Sequence, residues 1–326
     1  MTRILVTGGA GYIGSHTVKR LSHNGIETAV FDNLSRGHRD FVKWGPLIQG
    51  DLRNTELLRE TLRWFKPDVV LHFAAFAYVG ESMAYPGLYY DNNIGGTVSL
   101  LQAMCQAGVS RIVVSSSCAT YGEPDHIPIA ENALQRPVNP YGMSKLMMEQ
   151  ACRDFEVAHG LRSVALRYFN ACGGDPDGEI GERHDPEPHL IPRLFMAQDG
   201  EIDALEILGD DYPTPDGTCI RDYIHVNDLA DAHIKAAHYL LEGGPSNAFN
   251  LGTGHGVSVR EVIEAAVKVT GKAVPHHVGP RREGDPAVLV ADASKARQVL
   301  NWVAGNSDMT NVLKSAWTWH KNERRK

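Results

Sequence analysis

The apolar run Ile4-Leu5-Val6-Thr7 leads straight into Gly8-Gly9-Ala10-Gly11-Tyr12-Ile13-Gly14. That juncture leaves the backbone few options. The apolar run reads as a short buried strand, and the stretch from Ile13 to Leu21 reads as a helix. Glycines at 8, 11 and 14 provide a tight turn, close approach of backbone to a ligand, and close packing of helix on strand. The helix start then offers free N–H groups and a positive dipole end to a phosphate. Loops also use glycine for other reasons, so the next acid matters. Asp32 ends the following apolar run, Ala29-Val30-Phe31, eighteen residues beyond Gly14. There a carboxylate binds the ribose hydroxyls of NAD and repels the extra phosphate of NADP. Asp32-Asn33 also suits a turn.

Beyond this unit the pattern repeats. Strands are expected near 3–7, 27–31, 46–50, 69–73, 110–116 and 162–168, with helices near 12–24, 54–65, 85–107 and 140–159. Alternation of this kind specifies a doubly wound α/β fold of the Rossmann type, built on a parallel sheet. Residues 171–188 are rich in Gly, Pro, Asp and Glu and read as a long loop. Helices near 190–199, 227–242, 258–270 and 309–320 follow. The expected division is a dinucleotide-binding domain at 1–170 and a smaller C-terminal α/β lobe at 171–326. A segment near 218–242 is expected to pack back on the first domain. With 326 residues the chain is long enough for that.

A second motif carries the chemistry. In Tyr141-Gly142-Met143-Ser144-Lys145 the Tyr and Lys are four apart and share a helix face. Asn139 and Pro140 suit the helix start. A free tyrosine titrates near pH 10. A nearby ammonium and a positively charged nicotinamide favour the tyrosinate and bring it into working range as a base. Upstream, Ser115-Ser116-Ser117 closes the strand Arg111-Ile112-Val113-Val114, where open α/β sheets bind ligands. Each feature alone also fits a surface helix or a loop serine. The three in this order point to an enzyme that moves a hydride and a proton.

A net charge of −7 argues against general nucleic-acid binding, and the basic tail (Lys321, Arg324, Arg325, Lys326) reads as solvated. The five cysteines form no C-x-x-C, which fits free thiols in a reducing compartment. The opening Met1-Thr2-Arg3-Ile4 runs directly into a strand with no signal peptide, and the apolar stretch Val69–Val79 is too short to span a membrane. A cytoplasmic protein without a membrane partner is expected. His184, Asp185, Glu187 and His189, like His276-His277, read as solvated positions, and no metal is expected.

The glycine motif, Ser115-Ser116-Ser117, Tyr141 to Lys145 and Arg167-Tyr168-Phe169-Asn170 together resemble the extended short-chain dehydrogenase/reductases. Within them, five further stretches resemble the UDP-glucose 4-epimerases: His72-Phe73-Ala74-Ala75, Val79-Gly80-Glu81-Ser82, Tyr89 to Asn93, Arg221 to Val226, and Pro280 to Asp285. The resemblance implies bound NAD and a UDP-sugar substrate. Tyr141, Lys145 and Ser117 would be catalytic. Tyr12 and Ile13 would contact the pyrophosphate, Asp32 and Asn33 the ribose, Asp51 and Leu52 the adenine. Phe73, Ala74, Ala75 and Asn92 would line the cofactor, and Phe169 would pack near the nicotinamide. On the substrate side stand Asn170, His189, Leu190, Arg221, Tyr223, Arg282 and Asp285, with Leu289 gating the pocket beside the sugar's 2-substituent. Ala77 departs from the pattern where many of these enzymes carry a lysine, and His189 where an asparagine is common. The resemblance implies conversion of UDP-galactose to UDP-glucose. Alternatives are epimerisation of another UDP-sugar (xylose/arabinose or an N-acetylhexosamine) and a non-catalytic NAD-sensing module. A dehydratase would want an acid where Cys118-Ala119 stands. A homodimer is implied through helices 97–107 and 142–158, whose apolar positions include Val98, Leu101, Met104, Cys105, Leu146, Met147 and Phe155.

Overall fold

The computed structural model describes residues 2–282 and 284–324. Glu283, inside the Pro280 to Asp285 match, and Arg325 and Lys326 of the basic tail lie outside them. The architecture follows from six apolar runs that lie side by side. Strands β1 (Arg3–Thr7), β2 (Glu27–Asp32), β3 (Leu47–Gln49), β4 (Val69–His72), β5 (Arg111–Ser117) and β6 (Arg162–Tyr168) form one parallel sheet. In it β1 lies between β4 and β2, with Ile4 opposite both Thr28 and Val69. The reversal of strand order between β1 and β4 opens a crevice at their carboxyl ends, the ligand position of such folds.

Alternate side chains leave a strand on opposite faces. Ile4 and Val6 accordingly join one core, with Val18, Leu21, Leu229 and Ala236 of the helices Tyr12–His23 and Val226–Leu241. Leu5 joins the other, with Leu58, Leu62, Leu100 and Met148 of the helices Thr55–Phe65, Gly96–Ala107 and Pro140–His159. Each such fully buried side chain is worth about 1.5–3 kcal/mol. Leu5→Ala, in a strand buried on both faces, is among the changes that would cost most.

The helix Val226–Leu241 comes from beyond residue 170 yet packs on Tyr12–His23, where Arg20 pairs with Asp231 at 2.6 Å. The strand Asn247–Leu251, which the sequence assigns to no element, lies parallel beside β6 and makes the seventh strand of the sheet. The remaining C-terminal elements gather round a third core that contains Ile191, Phe195, Val262 and Leu313.

One expectation is refined and one changes. The helix expected over 85–107 runs as Pro86–Tyr89, a π-helical turn Tyr90–Gly95 and Gly96–Ala107, and a separate short helix Val79–Ala84 precedes it. Pro86 restarts the helix, and the π turn frees Asn93 to hold the backbone of Phe76 through both its amide atoms (2.8 and 3.0 Å). Leu101 and Met104 turn into the protomer's own core, so they do not form the dimer seam that the sequence assigned them. The exposed apolar side chains nearby are Met83, Tyr85, Leu88, Tyr90 and Met147. All five cysteines are free thiols. Among the described residues no helix is long and apolar enough to cross a membrane.

Candidate functional site

The glycine turn is built as the spacing required. Gly8 has φ +73°, and a Cβ there would stand 2.5 Å from the backbone nitrogen of Ala74. A Cβ on Gly14 would stand 2.2 Å from the Gly8 carbonyl oxygen. The turn therefore sits directly on the Phe73-Ala74-Ala75 segment. Gly11 caps the helix Tyr12–His23, whose first turn holds no acid. Tyr12 is buried and donates its hydroxyl to the Gly173 carbonyl at 2.6 Å, while Ile13 packs on the core. Asp32, buried at the end of β2, accepts from the backbone N–H of Ala10 (3.0 Å) and of Leu34 (2.8 Å). Burial raises its pKa, and those two N–H bonds oppose the rise. Asn33 donates to Asp51 at 2.9 Å; Arg53 also binds Asp51 and holds its pKa low. Leu52 is buried against Gly96, and Asn92 donates to Asn93 at 3.0 Å. A turn with no Cβ at Gly8, Gly11 and Gly14, an anion-friendly helix start and a fixed carboxylate eighteen residues on fit NAD.

The Tyr–Lys helix begins where Asn139 accepts from the N–H of Gly142 at 2.8 Å, with Pro140 in the first turn. Tyr141 is buried, with the Ser117 hydroxyl at the carboxyl end of β5 favouring its ionised form. Lys145 donates to the Ser115 carbonyl at 2.6 Å and lies 5.9 Å from the centre of the Tyr141 ring. One turn further, Glu149 is buried with Arg167 of β6 (2.6 Å) and accepts from Ser116 at 2.6 Å. Arg167 also donates to Tyr121 at 2.9 Å. This network fixes the catalytic helix to β5 and β6. Glu149 continues the four-residue stripe of Tyr141 and Lys145, the one local signal by which the sequence marks it.

The electrostatics differ from the simple expectation. Burial pushes the Tyr141 hydroxyl up to about 12, with the Ser117 hydrogen bond pulling the other way. Burial pushes Lys145 down to about 7, against the attraction of Glu149. For both groups desolvation is the largest influence. With these groups alone Tyr141 stays protonated at neutral pH, so its use as a base would call for a further positive charge beside it.

On the substrate side, Asn170 pairs in register with Tyr223, and its N–H donates to the Asp222 carbonyl at 2.9 Å. Arg221 is buried, binds Asp285 at 2.6 Å and lies in register with Leu289. Leu289 packs on the cluster of Tyr121, Phe169 and Cys118, the last of these next in sequence to Ser117. Leu190 opens the helix Leu190–Gln198 and packs with Tyr223. Arg282 is exposed, its carbonyl accepting from the N–H of Asp285 at 3.2 Å. His189 does not lie in a solvated loop as expected. It joins His184, Glu182 and Glu187 in a group whose polar atoms all lie within 4.8 Å, and both carboxylates are buried. A cavity of about 500 Å³ lined by Thr253, His255, Arg297 and Trp302 meets this site only through Tyr223.

The description "NAD dependent epimerase/dehydratase family" matches residues 4–252. A UDP-glucose 4-epimerase of Rhizobium meliloti (strain 1021) is 53% identical over 319 residues, 97% of this chain and 96% of that one. A UDP-glucose 4-epimerase from Brucella ovis, crystallised in complex with NAD, superposes with a TM-score of 0.96 at 51% identity, covering 98% of this chain and 99% of that one. The enzyme from Bifidobacterium longum in complex with NAD+ and UDP superposes at 0.94 and 39% identity, covering 99% of each.

Proposed function

The chain belongs to the NAD dependent epimerase/dehydratase family, and we propose that it interconverts UDP-galactose and UDP-glucose. The observation that carries the reading is the buried Tyr141 with Lys145 5.9 Å from its ring, at the end of the strand that carries Ser117, in a chain so similar to named 4-epimerases. When bound, NAD supplies the hydride acceptor and donor for carbon 4 of the sugar. Tyr141 takes the proton of the 4-hydroxyl and later returns it, while Ser117 holds that hydroxyl in line. Lys145 orders the ribose and adds positive charge. Gly8, Gly11, Gly14, Tyr12 and Ile13 would cradle the pyrophosphate and Asp32 with Asn33 the ribose. Asp51 and Leu52 would meet the adenine, and Phe73, Ala74, Ala75, Asn92 and Phe169 would line the rest. Arg221, Arg282 and Asp285, with Asn170, His189, Leu190 and Tyr223, would hold UDP while the 4-keto sugar turns; planar guanidinium groups suit a diphosphate.

Two lobes carry these roles. One spans 1–170 with 226–251 returning to it, and the other is the remainder of 171–326. A homodimer is supported by the exposed Met83, Tyr85, Leu88 and Tyr90, whose segments pack beside the helix that exposes Met147. Five free thiols support a reducing, cytoplasmic setting.

The test is direct. Purified protein is incubated with UDP-galactose and the products are separated. UDP-glucose at equilibrium is the expected result. Turnover only of UDP-N-acetylglucosamine or UDP-xylose would move the assignment to another UDP-sugar, and no turnover of any would favour a sensing role.

A further inference from the structure

Of the group formed by Glu182, His184, Glu187 and His189, only His189 has a part in the reading above, yet the geometry of all four is specific. His189 Nδ1 lies 2.8 Å from Glu187 Oε1 and 2.9 Å from Glu182 Oε1. His184 Nδ1 lies 3.2 Å from the other Glu187 oxygen. The carboxylate side chains are only 7% and 8% exposed, whereas that of His189 is 40% exposed. Ionised carboxylates only accept hydrogen bonds, so His189 Nδ1 must carry a proton. That leaves Nε2 for an outside ligand. In a neutral ring Nε2 would be an acceptor and would repel a phosphate oxygen. In the imidazolium it is a donor.

We propose that Glu182 and Glu187 are positioning residues that orient His189 and keep its Nε2 a hydrogen-bond donor toward the diphosphate of the bound nucleotide. The inference rests on the UDP-sugar reading above. The surroundings agree with it. The two carboxylates push His189 up to about 10 against its burial, and Glu187 itself is held down at about 2 by the two imidazoles. The other polar groups facing the ring are His184 of the same loop (centroids 4.8 Å) and Tyr78 (6.0 Å), with Arg36 stacked over Tyr78. Tyr12, at the start of the glycine-loop helix, meets His184 at 6.3 Å. Arg193 reaches the backbone carbonyl of Glu187 at 3.5 Å rather than its carboxylate. Proximity to Tyr12 and to the segment after Ala75 places the group beside the nucleotide path. Its place at the head of the helix Leu190–Gln198 adds the positive end of that helix.

The experiment measures kcat and KM for UDP-galactose, and the dissociation constant of UDP, on the NAD-loaded enzyme from pH 6.5 to 8.5. In the wild type KM should stay within about twofold. In Glu187→Gln the lost carboxylate lets His189 deprotonate, so KM and the UDP constant should rise roughly tenfold across that range while kcat holds, the size of one charged hydrogen bond. Glu187→Asp should restore most of the flat profile. His189→Asn, whose amide donates at any pH, should give a flat profile with or without Glu187→Gln. Three results would overturn the proposal. The first is an Glu187→Gln profile parallel to wild type, and the second is a pH effect that persists in the His189→Asn background. The third is stoichiometric Zn2+ or Mn2+ bound by wild type and lost in Glu187→Gln, since the carboxylates would then serve a metal. A wild type without any UDP-sugar turnover or UDP binding would instead remove the underlying assignment.

Discussion

Lys145 should make the protein less stable at neutral pH than a hydrocarbon would, and the structure sets the size of the effect. Its side chain is 2% exposed, and burial pushes its pKa down from 10.5 to about 7. In the unfolded chain it stays protonated to about pH 10.4. Between those values the unfolded state binds more protons, so the penalty is full below the folded pKa and fades as pH rises toward the unfolded one. A difference of roughly 3.5 pKa units is worth about 4–5 kcal/mol, nearly all of it still unfavourable at pH 7. At pH 9.5 only about 1–2 kcal/mol remains, because the unfolded lysine is then close to losing its proton too. Lys145→Met keeps the length and has no such dependence. It also leaves the Ser115 carbonyl without its 2.6 Å donor, which costs about 1–3 kcal/mol at every pH. The net expectation is a variant more stable by roughly 1–3 kcal/mol at pH 7 and about equal or less stable at pH 9.5. The swing of about 3 kcal/mol between the two pH values is the firmer quantity, since the constant contributions cancel. Urea unfolding of nucleotide-stripped wild type and Lys145→Met at both pH values measures it. A stability difference that does not change with pH would refute the claim that Lys145 is buried at the expense of its charge.

Four further outcomes follow from the same site. Tyr141→Phe should fold and retain cofactor yet lose about 100-fold or more in turnover, because the group that takes the proton is gone; near-normal turnover would remove the assignment. Heat-denatured protein should release NAD or NADH into the supernatant, and NADP there would contradict the reading of Asp32. UDP-glucose and UDP-galactose should be the best substrates, with weak activity on UDP-N-acetylglucosamine that Leu289→Tyr abolishes while sparing the main reaction. Unchanged discrimination in that variant would place the gate away from the Phe169–Cys118 cluster. Light scattering at micromolar concentration should give a dimer that Met147→Arg weakens, and a wild-type monomer would reject the proposed face.

The parts of this fold that were legible in the sequence are those a short window can specify. An apolar run such as Val69-Val70-Leu71 needs no partner to be recognised as a strand buried on both faces. Gly8 and Gly14 reveal themselves because only a missing Cβ satisfies the turn. The strand Asn247–Leu251 escapes for the opposite reason. Its Asn250 is fully buried, and that is tolerable only because it accepts from Tyr121 at 2.7 Å and donates to Ile129 at 2.8 Å, two partners more than a hundred residues away. The same holds within the site. The pairing of Tyr141 with Lys145 is written in their spacing, but their protonation is not. It depends on how completely β5, β6 and the catalytic helix exclude water, and on Glu149, whose charge is balanced by Arg167 from another strand. A loop of Pro, Asp and Glu likewise reads as solvated until tertiary packing buries Glu182 and Glu187 against the two imidazoles. Local sequence names the atoms that can move a proton. The dielectric and charge around them are set by residues distant in the chain, so the proton affinities that decide mechanism become readable only once those residues have been brought together.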